Sequence, residues 1–167
     1  MFWPVINDIT TTYPHEPQFV EIRELNPKQD YSYPAHFFPQ QTKAYPEVKP
    51  LLLKGEREPL FAWLEDRARQ QERWSLVLVD PVAGRIEAVA VTRLLRFKDD
   101  VVIELRSVSD FEHEVHMRSR SRLGRSDLGA NAQRILSFLE QLRQATATSK
   151  AHSQATATAT ATEEHSP

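Results

Sequence analysis

Proline sets the first limit on what this chain can become. Eight of its eleven prolines, Pro4, Pro14, Pro17, Pro27, Pro34, Pro39, Pro46 and Pro50, fall in the first fifty residues. Each fixes φ, removes an amide donor and pushes its predecessor toward extended geometry. Residues 1–55 are therefore barred from long helices and central strands. The same stretch holds Phe2, Trp3, Phe19, Tyr31, Tyr33, Phe37, Phe38 and Tyr45, too many aromatics for a free disordered segment. It reads as an extended arm that packs on the rest of the chain, with one short strand expected at "FVEIREL".

Periodic signals begin at residue 56 and end near residue 144. In "EPLFAWLEDRARQQ", Pro59 suits a first helical turn, and Leu60, Phe61, Leu64 and Ala68 form one stripe, which predicts a helix. "WSLVLVD" predicts a strand, "DPVAG" a turn, "RIEAVAVTRLLRF" a second strand and "KDD" the turn after it. "VVIELRS" and "EHEVHMRSRSR" alternate with period two, predicting two more strands about a turn centred on Ser109. Asp127 is placed to cap a last helix, on which Leu128, Ala132, Ile135, Leu139 and Leu142 repeat at helical spacing. Residues 145–167 are Ala/Thr-rich, contain no large apolar side chain, and are expected to form a disordered tail. The sum is an α+β fold: an antiparallel meander of four to five strands with two helices on one face, laid out like the TATA-binding protein.

Parity can be followed through the meander. Odd positions Val91, Leu95, Phe97, Val101, Ile103, Leu105, Val115 and Met117 are apolar and are expected beneath the helices. Even positions, among them Glu104, Arg106, Glu114, His116, Arg118, Arg120 and Arg122, are polar and are expected on a wet face. Three guanidinium groups spaced about 6.6 Å apart along one strand repel one another unless something negative is near. Internal carboxylates could relieve this, with Asp100 across from Arg118 and Arg106 across from Glu112; so could a bound anion, which guanidinium forks suit. At the corner that follows, Gly124 can take positive φ, Asp127 can accept helix amides, and Arg125 can pair with Asp127. A sharper reading makes this helix start an anion seat, with Ser126, Gly129 and the arginines as donors.

Other chemistry is thin. The chain has no cysteine, which excludes disulfides, thiolate catalysis and thiolate metal sites. A net charge of −2 argues against a dedicated nucleic-acid binder. His113 and His116 are three apart on a predicted strand and so point to opposite faces, unable to share a metal. Adjacent Asp99 and Asp100 suit hairpin geometry, or else a cation or acid/base site. Asn7, Asp8 and Thr10 can anchor the arm to the sheet or line an arginine pocket. There is no run of eighteen apolar residues and no leader-like start, so a cytoplasmic protein without a membrane span is expected.

"FKDDVVIELR" and "VHMRSRSRLGRSDLGANAQRILSFL" resemble DUF1499, a bacterial domain of unknown function. Phe97, Asp99, Asp100, Val101, Arg118, Ser119, Ser121, Arg122, Gly124, Arg125, Ser126, Asp127, Gly129, Asn131 and Arg134 match its pattern. "INDITT", "YPEVKPL" and "DPVAGRIEAVAVT" are similar to a longer branch of that family. The resemblance implies an uncharacterised protein, with an envelope association as the alternative to the cytoplasm. The expected function is a non-enzymatic binding module. Arg118, Arg120, Arg122, Arg125, Ser126, Asn131 and His116 would engage an anionic small molecule or acidic protein surface, while Asp99, Asp100, Gly124, Asp127, Gly129 and Arg134 build the motif. The alternatives are a small hydrolase or isomerase using His116 with Asp99 or Asp100, and an adaptor docking through its aromatic arm. No cofactor, metal or nucleic acid is expected.

Overall fold

A computed structural model describes residues 3–163, with side chains to residue 147. The chain forms two compact units, Met1–Leu136 and Ser137–Pro167. Six strands and four helices occur among the described residues: β1 (Asp8–Thr10), α1 (Glu21–Leu25), α2 (Phe37–Ala44), β2 (Leu51–Lys54), α3 (Arg57–Arg69), β3 (Trp74–Asp80), β4 (Arg85–Val91), β5 (Lys98–Ser107), β6 (Glu112–Ser121) and α4 (Ala130–Glu163). The second unit is helical throughout its described length, with Phe138, Leu139 and Leu142 buried. Helix thus continues where the Ala/Thr-rich tail begins, a composition whose alanines favour it; side chains past residue 147, on which the tail expectation turns, lie outside the described residues.

The sheet is antiparallel, in the order β1-β6-β5-β4-β3, with β2 also on β6. β3 to β6 form the expected meander. The outer edge of β6 is shared by two pieces of the arm. β1 pairs with its Arg118–Arg120 half and β2 with its Glu112–Val115 half. Neither arm strand is long enough to show periodicity in sequence; the edge of β6 supplies their hydrogen bonds. Gln41 of α2 then closes the far side of β1: its Oε1 accepts from the Thr10 amide at 2.9 Å, and its Nε2 donates to the Thr10 carbonyl at 2.7 Å. An open strand edge is thereby removed.

Three local expectations are corrected. "FVEIREL" is not a strand but leads into α1, because the buried Glu87 carboxylate of β4 accepts the amides of Val20 at 2.6 Å and Ile22 at 2.8 Å at the helix start. "KDD" is not a turn: Lys98, Asp99 and Asp100 pair with Val91, Ala90 and Val89. The turn lies earlier, where the Thr92 amide bonds to the Phe97 carbonyl at 2.9 Å and the Phe97 amide to Thr92 Oγ1 at 2.8 Å. Leu95 and Phe97 consequently leave the sheet and stand exposed, not inward.

The β5–β6 register is also offset. Asp100 lies across from Arg120 and Arg106 across from Glu114, two residues from the pairing expected about Ser109. A shift of two keeps every side chain on its face, whereas a shift of one would invert them all. Parity therefore holds. Val101, Ile103, Leu105, Val115 and Met117 share one buried face, and Asp100, Val102, Arg118 and Arg120 the other.

Candidate binding site

The polar face is not wet. Val102 packs with Phe19, Ile22 and Tyr31 of the arm, and Val77 and Val89 extend that second core. Beneath it Arg118 is 0% exposed. Its Nε donates to Asp8 Oδ1 at 3.0 Å and its Nη2 to Asp8 Oδ2 at 2.8 Å, a two-pronged pair. Two further hydrogens go to the carbonyls of Pro17 at 3.3 Å and Tyr31 at 2.9 Å. The guanidinium lies 5.1 Å from the Phe19 ring and 5.5 Å from the Tyr33 ring, contacts that strengthen when desolvated. Burial pushes the Asp8 carboxyl upward, opposed by Arg118 and Arg120.

The other two arginines of the row are likewise engaged. Arg122 holds Asp100, Nε to Oδ1 at 2.9 Å, and the Tyr31 hydroxyl donates to Asp100 Oδ2 at 2.8 Å. Arg120 lies over the Tyr31 ring at 4.6 Å, and its buried Nη1 has no hydrogen-bond partner among the described residues. Of the two partners that could quiet this row, the structure supplies internal carboxylates, Asp8 from the arm and Asp100 from β5. Asp8 thus anchors the arm to the sheet, as its place in "INDITT" suggests, with Arg118 as a specific partner that the sequence does not indicate.

Adjacent Asp99 and Asp100 point to opposite faces, and each meets its own arginine. Asp99 accepts from Arg134 of α4 at 2.6 Å. Arg134 also bonds to Ser119 and Asn131, at 2.9 and 2.6 Å. Asn131 is fully buried; its Oδ1 accepts from Ser119 at 2.7 Å, and its Nδ2 donates to Ser121 at 2.9 Å and to the Asn7 carbonyl at 3.3 Å. Burial pushes the Asp99 carboxyl up, against the pull of Arg134 and Ser121. Asn131 is therefore a structural hub joining arm, sheet and helix.

At the corner, Asp127 caps α4 as its sequence position implies: Oδ1 accepts from Gly129 and Oδ2 from Asn131, both at 2.9 Å. The amides of the proposed anion seat are thus already occupied. Gly129 has φ +83, and a β-carbon there would meet the Trp3 ring at 2.4 Å, so glycine is required twice over. Ser126 donates to the Pro4 carbonyl at 3.2 Å, and Asn7 Nδ2 to the Gly124 carbonyl at 2.6 Å. Arg125 stays exposed and makes no ion pair among the described residues, so its expected pairing with Asp127 is absent there.

His116 is buried on the arm-facing side, with Nε2 2.9 Å from Glu114 Oε2. Asp99 faces the other layer. Asp100 is four residues along β5 from Glu104, which lies opposite His116, a separation of roughly 13 Å. The His116–Asp pair needed by the hydrolase reading is therefore not assembled. His113 is satisfied by Ser107 at 3.0 Å and by the Gly55 carbonyl at 3.1 Å. Among the described residues no group of three potential metal ligands clusters. Aromatics Phe19, Tyr31 and Tyr33, offered by the adaptor reading, are buried in the protein's own core.

His116 carries a pH prediction. Burial and the Arg106 charge hold its imidazole below the ordinary 6.5, with Glu114 opposing. The unfolded chain then binds the proton more readily than the fold, so stability falls as pH drops through about 6.5 and levels off below the depressed native value. A histidine NMR titration is expected to place the His116 midpoint below 6.5, and His116→Asn is expected to flatten the stability slope in that window. A native midpoint at or above 6.5 contradicts the argument.

Two places stay open among the described residues: a depression of about 520 Å³ in the arm, lined by Gln18, Arg23, Glu24, Gln29, Asp30 and Tyr31, and one end of the sheet. The 92–97 loop and the β6–α4 corner face each other across a cleft of about 280 Å³. Leu94, Leu95, Phe97, Leu123 and Leu128 form its apolar rim, with Asp99, Ser121 and Asp127 deeper in. Leu94 is 89% exposed and Leu128 70%. Arg96 and Leu128, one on each side, both hold φ near +52, a left-handed conformation costly for such residues. On the far side of Gly124 a second depression of about 350 Å³ is lined by Val5, Asn7, Phe37 and Arg125.

The family model for proteins of unknown function designated DUF1499 matches residues 8–142, most of the chain, and the protein belongs to that family. No curated protein matches the sequence. Among the described residues no helix is long and apolar enough to cross a membrane.

Proposed function

We propose that this DUF1499 protein is a non-enzymatic binding module, whose site is the cleft at the strand-to-helix corner and whose ligand is an anionic amphiphile. The observation that carries the reading is the ring of large apolar side chains left in solvent around that cleft, Leu94, Leu95, Phe97, Leu123 and Leu128. Exposed apolar clusters of this kind ordinarily mark a binding surface. The walls are braced from behind by the Asp99–Arg134–Asn131 network and the Asp127 cap, so the cleft is held open without a ligand. Strained residues on both rims fit the same reading, since strain tends to collect at functional sites. Arg125, across Gly124, is the member of the arginine cluster still available to an anionic headgroup.

The layout belongs to the proposal. In a TATA-binding-protein-like layout with the arm over the arginine face, an end of the sheet is open to a ligand. The acidic-partner version is less well supported, because Arg118, Arg120 and Arg122 are already paired or covered.

Calorimetric titration with octyl phosphate kept below its micellar concentration, with octanol and inorganic phosphate as controls, tests the reading. Octyl phosphate is expected to bind, octanol more weakly and phosphate alone not measurably. Leu95→Ser with Phe97→Ser abolishes binding, while Arg125→Ala weakens octyl phosphate about tenfold and leaves octanol unchanged. Equal binding by the wild type and the Leu95/Phe97 variant removes the cleft as the site.

A further inference from the structure

The loop that forms one wall of the cleft reads "TRLLRFK", residues 92–98. Its apolar tip, Leu94 and Leu95, is flanked by Arg93, Arg96 and Lys98, all exposed and none in an ion pair among the described residues. The whole chain carries a net charge of −2, yet this seven-residue loop contributes three cations and no acid. Across the cleft, the corner adds exposed Leu123, Arg125 and Leu128. Of the nearby carboxylates, Asp99 is paired with Arg134 through Oδ2 and Asp127 accepts helix amides.

An apolar tip between cations on two neighbouring loops matches the profile of a bilayer surface: acyl chains below, phosphates above. From this charge complementarity we infer that this end of the sheet docks on an anionic lipid bilayer. Leu94, Leu95 and Leu128 enter the headgroup region while Arg93, Arg96 and Lys98 engage lipid phosphates. A rigid protein partner would need a surface matched to two protruding tips, whereas a fluid bilayer accommodates them without a preformed match. Docking there would set the mouth of the cleft against the membrane. The inference goes beyond the cleft reading and does not require it.

The geometry also supplies an internal control. Val82, 91% exposed, lies in the β3–β4 turn, at the opposite end of β4 from the 92–97 loop. Since the chain has no cysteine, Leu94→Cys and Val82→Cys each accept one environment-sensitive fluorophore without further changes. Full-length protein is mixed with vesicles of phosphatidylcholine, with or without phosphatidylglycerol, and separated by flotation. Binding is expected only with phosphatidylglycerol, to fall as salt rises, and to drop on the order of 100-fold in the Arg93→Ala, Arg96→Ala, Lys98→Ala variant. The label at position 94 shifts to the blue on those vesicles and the label at 82 does not. Leu94→Ser with Leu95→Ser also weakens flotation, a second variant in which the charges are untouched. The inference is overturned by no flotation, by equal flotation on phosphatidylcholine alone, or by a response at position 82 without one at 94. Octyl phosphate binding with no vesicle binding would sink this inference and spare the cleft; vesicle binding without octyl phosphate binding would do the reverse.

Discussion

Replacing Arg118 with methionine is expected to cost about 3–5 kcal/mol of folding free energy, the range seen when one member of a buried ion pair is removed. Methionine fills most of the space but leaves Asp8, 1% exposed, without its two-pronged partner and with Arg120 at 3.8 Å as the remaining counter-charge. It also strands the Pro17 and Tyr31 carbonyls and removes the cation between the Phe19 and Tyr33 rings. Against a typical total of about 5–15 kcal/mol, that loss is large. Urea unfolding measures it, and amide exchange is expected to show the arm opening first. Asp8→Asn together with Arg118→Met is expected to recover part of the loss, because the buried charge disappears with its partner. If the single variant loses less than about 1 kcal/mol, the pair is not what fastens the arm.

Arg134→Leu is expected to have the second-largest effect, also about 3–5 kcal/mol near neutral pH. It leaves the Asp99 carboxylate buried and unpaired, and it removes a donor from Asn131 and Ser119. The pH dependence identifies the cause. Asp99 is already raised above its ordinary 3.8 by burial, and without Arg134 it rises further. The variant fold then takes up a proton at a higher pH than the wild-type fold does, so acidification stabilises the variant relative to wild type until the pH reaches the raised native value of wild-type Asp99, below which the two gain equally. Adding Asp99→Asn is expected to restore much of the stability at neutral pH. A deficit that stays constant with pH, and that Asp99→Asn leaves untouched, would mean that lost packing is responsible.

Both predictions rest on residues that the sequence marks only in part. Arg118 stands out in "RSRSR", and its alternation places it with Arg120 and Arg122 on one face. Its partner, 110 residues away, leaves no local trace beyond a polar residue in "INDITT". Glu87 and Gln41 are similarly silent: one is a carboxylate in an apolar strand, the other an amide in a short helix. Each proves to be buried and to serve backbone groups of the arm. The cleft was hidden for another reason. Leu95 and Phe97 fit the odd-numbered apolar series, and only the hydrogen bonds of Thr92 take them out of the strand.

The features legible from residue order alone were local and periodic. Alternation in β5 and β6 assigned their side chains to two faces, and that assignment survived a register error because the error was even. Asp127 with the glycines around it specified the corner and its cap, since capping and positive φ are decided within a few bonds. What lies over each face was settled by long-range packing. Polar residues on alternate positions look the same whether they meet water or a second layer of chain. Here the proline-rich arm folds back, adds two strands to the edge of β6 and lays its aromatics over the arginines, turning an expected open surface into an interior. That choice depends on contacts between distant residues, and no stretch of sequence carries it alone.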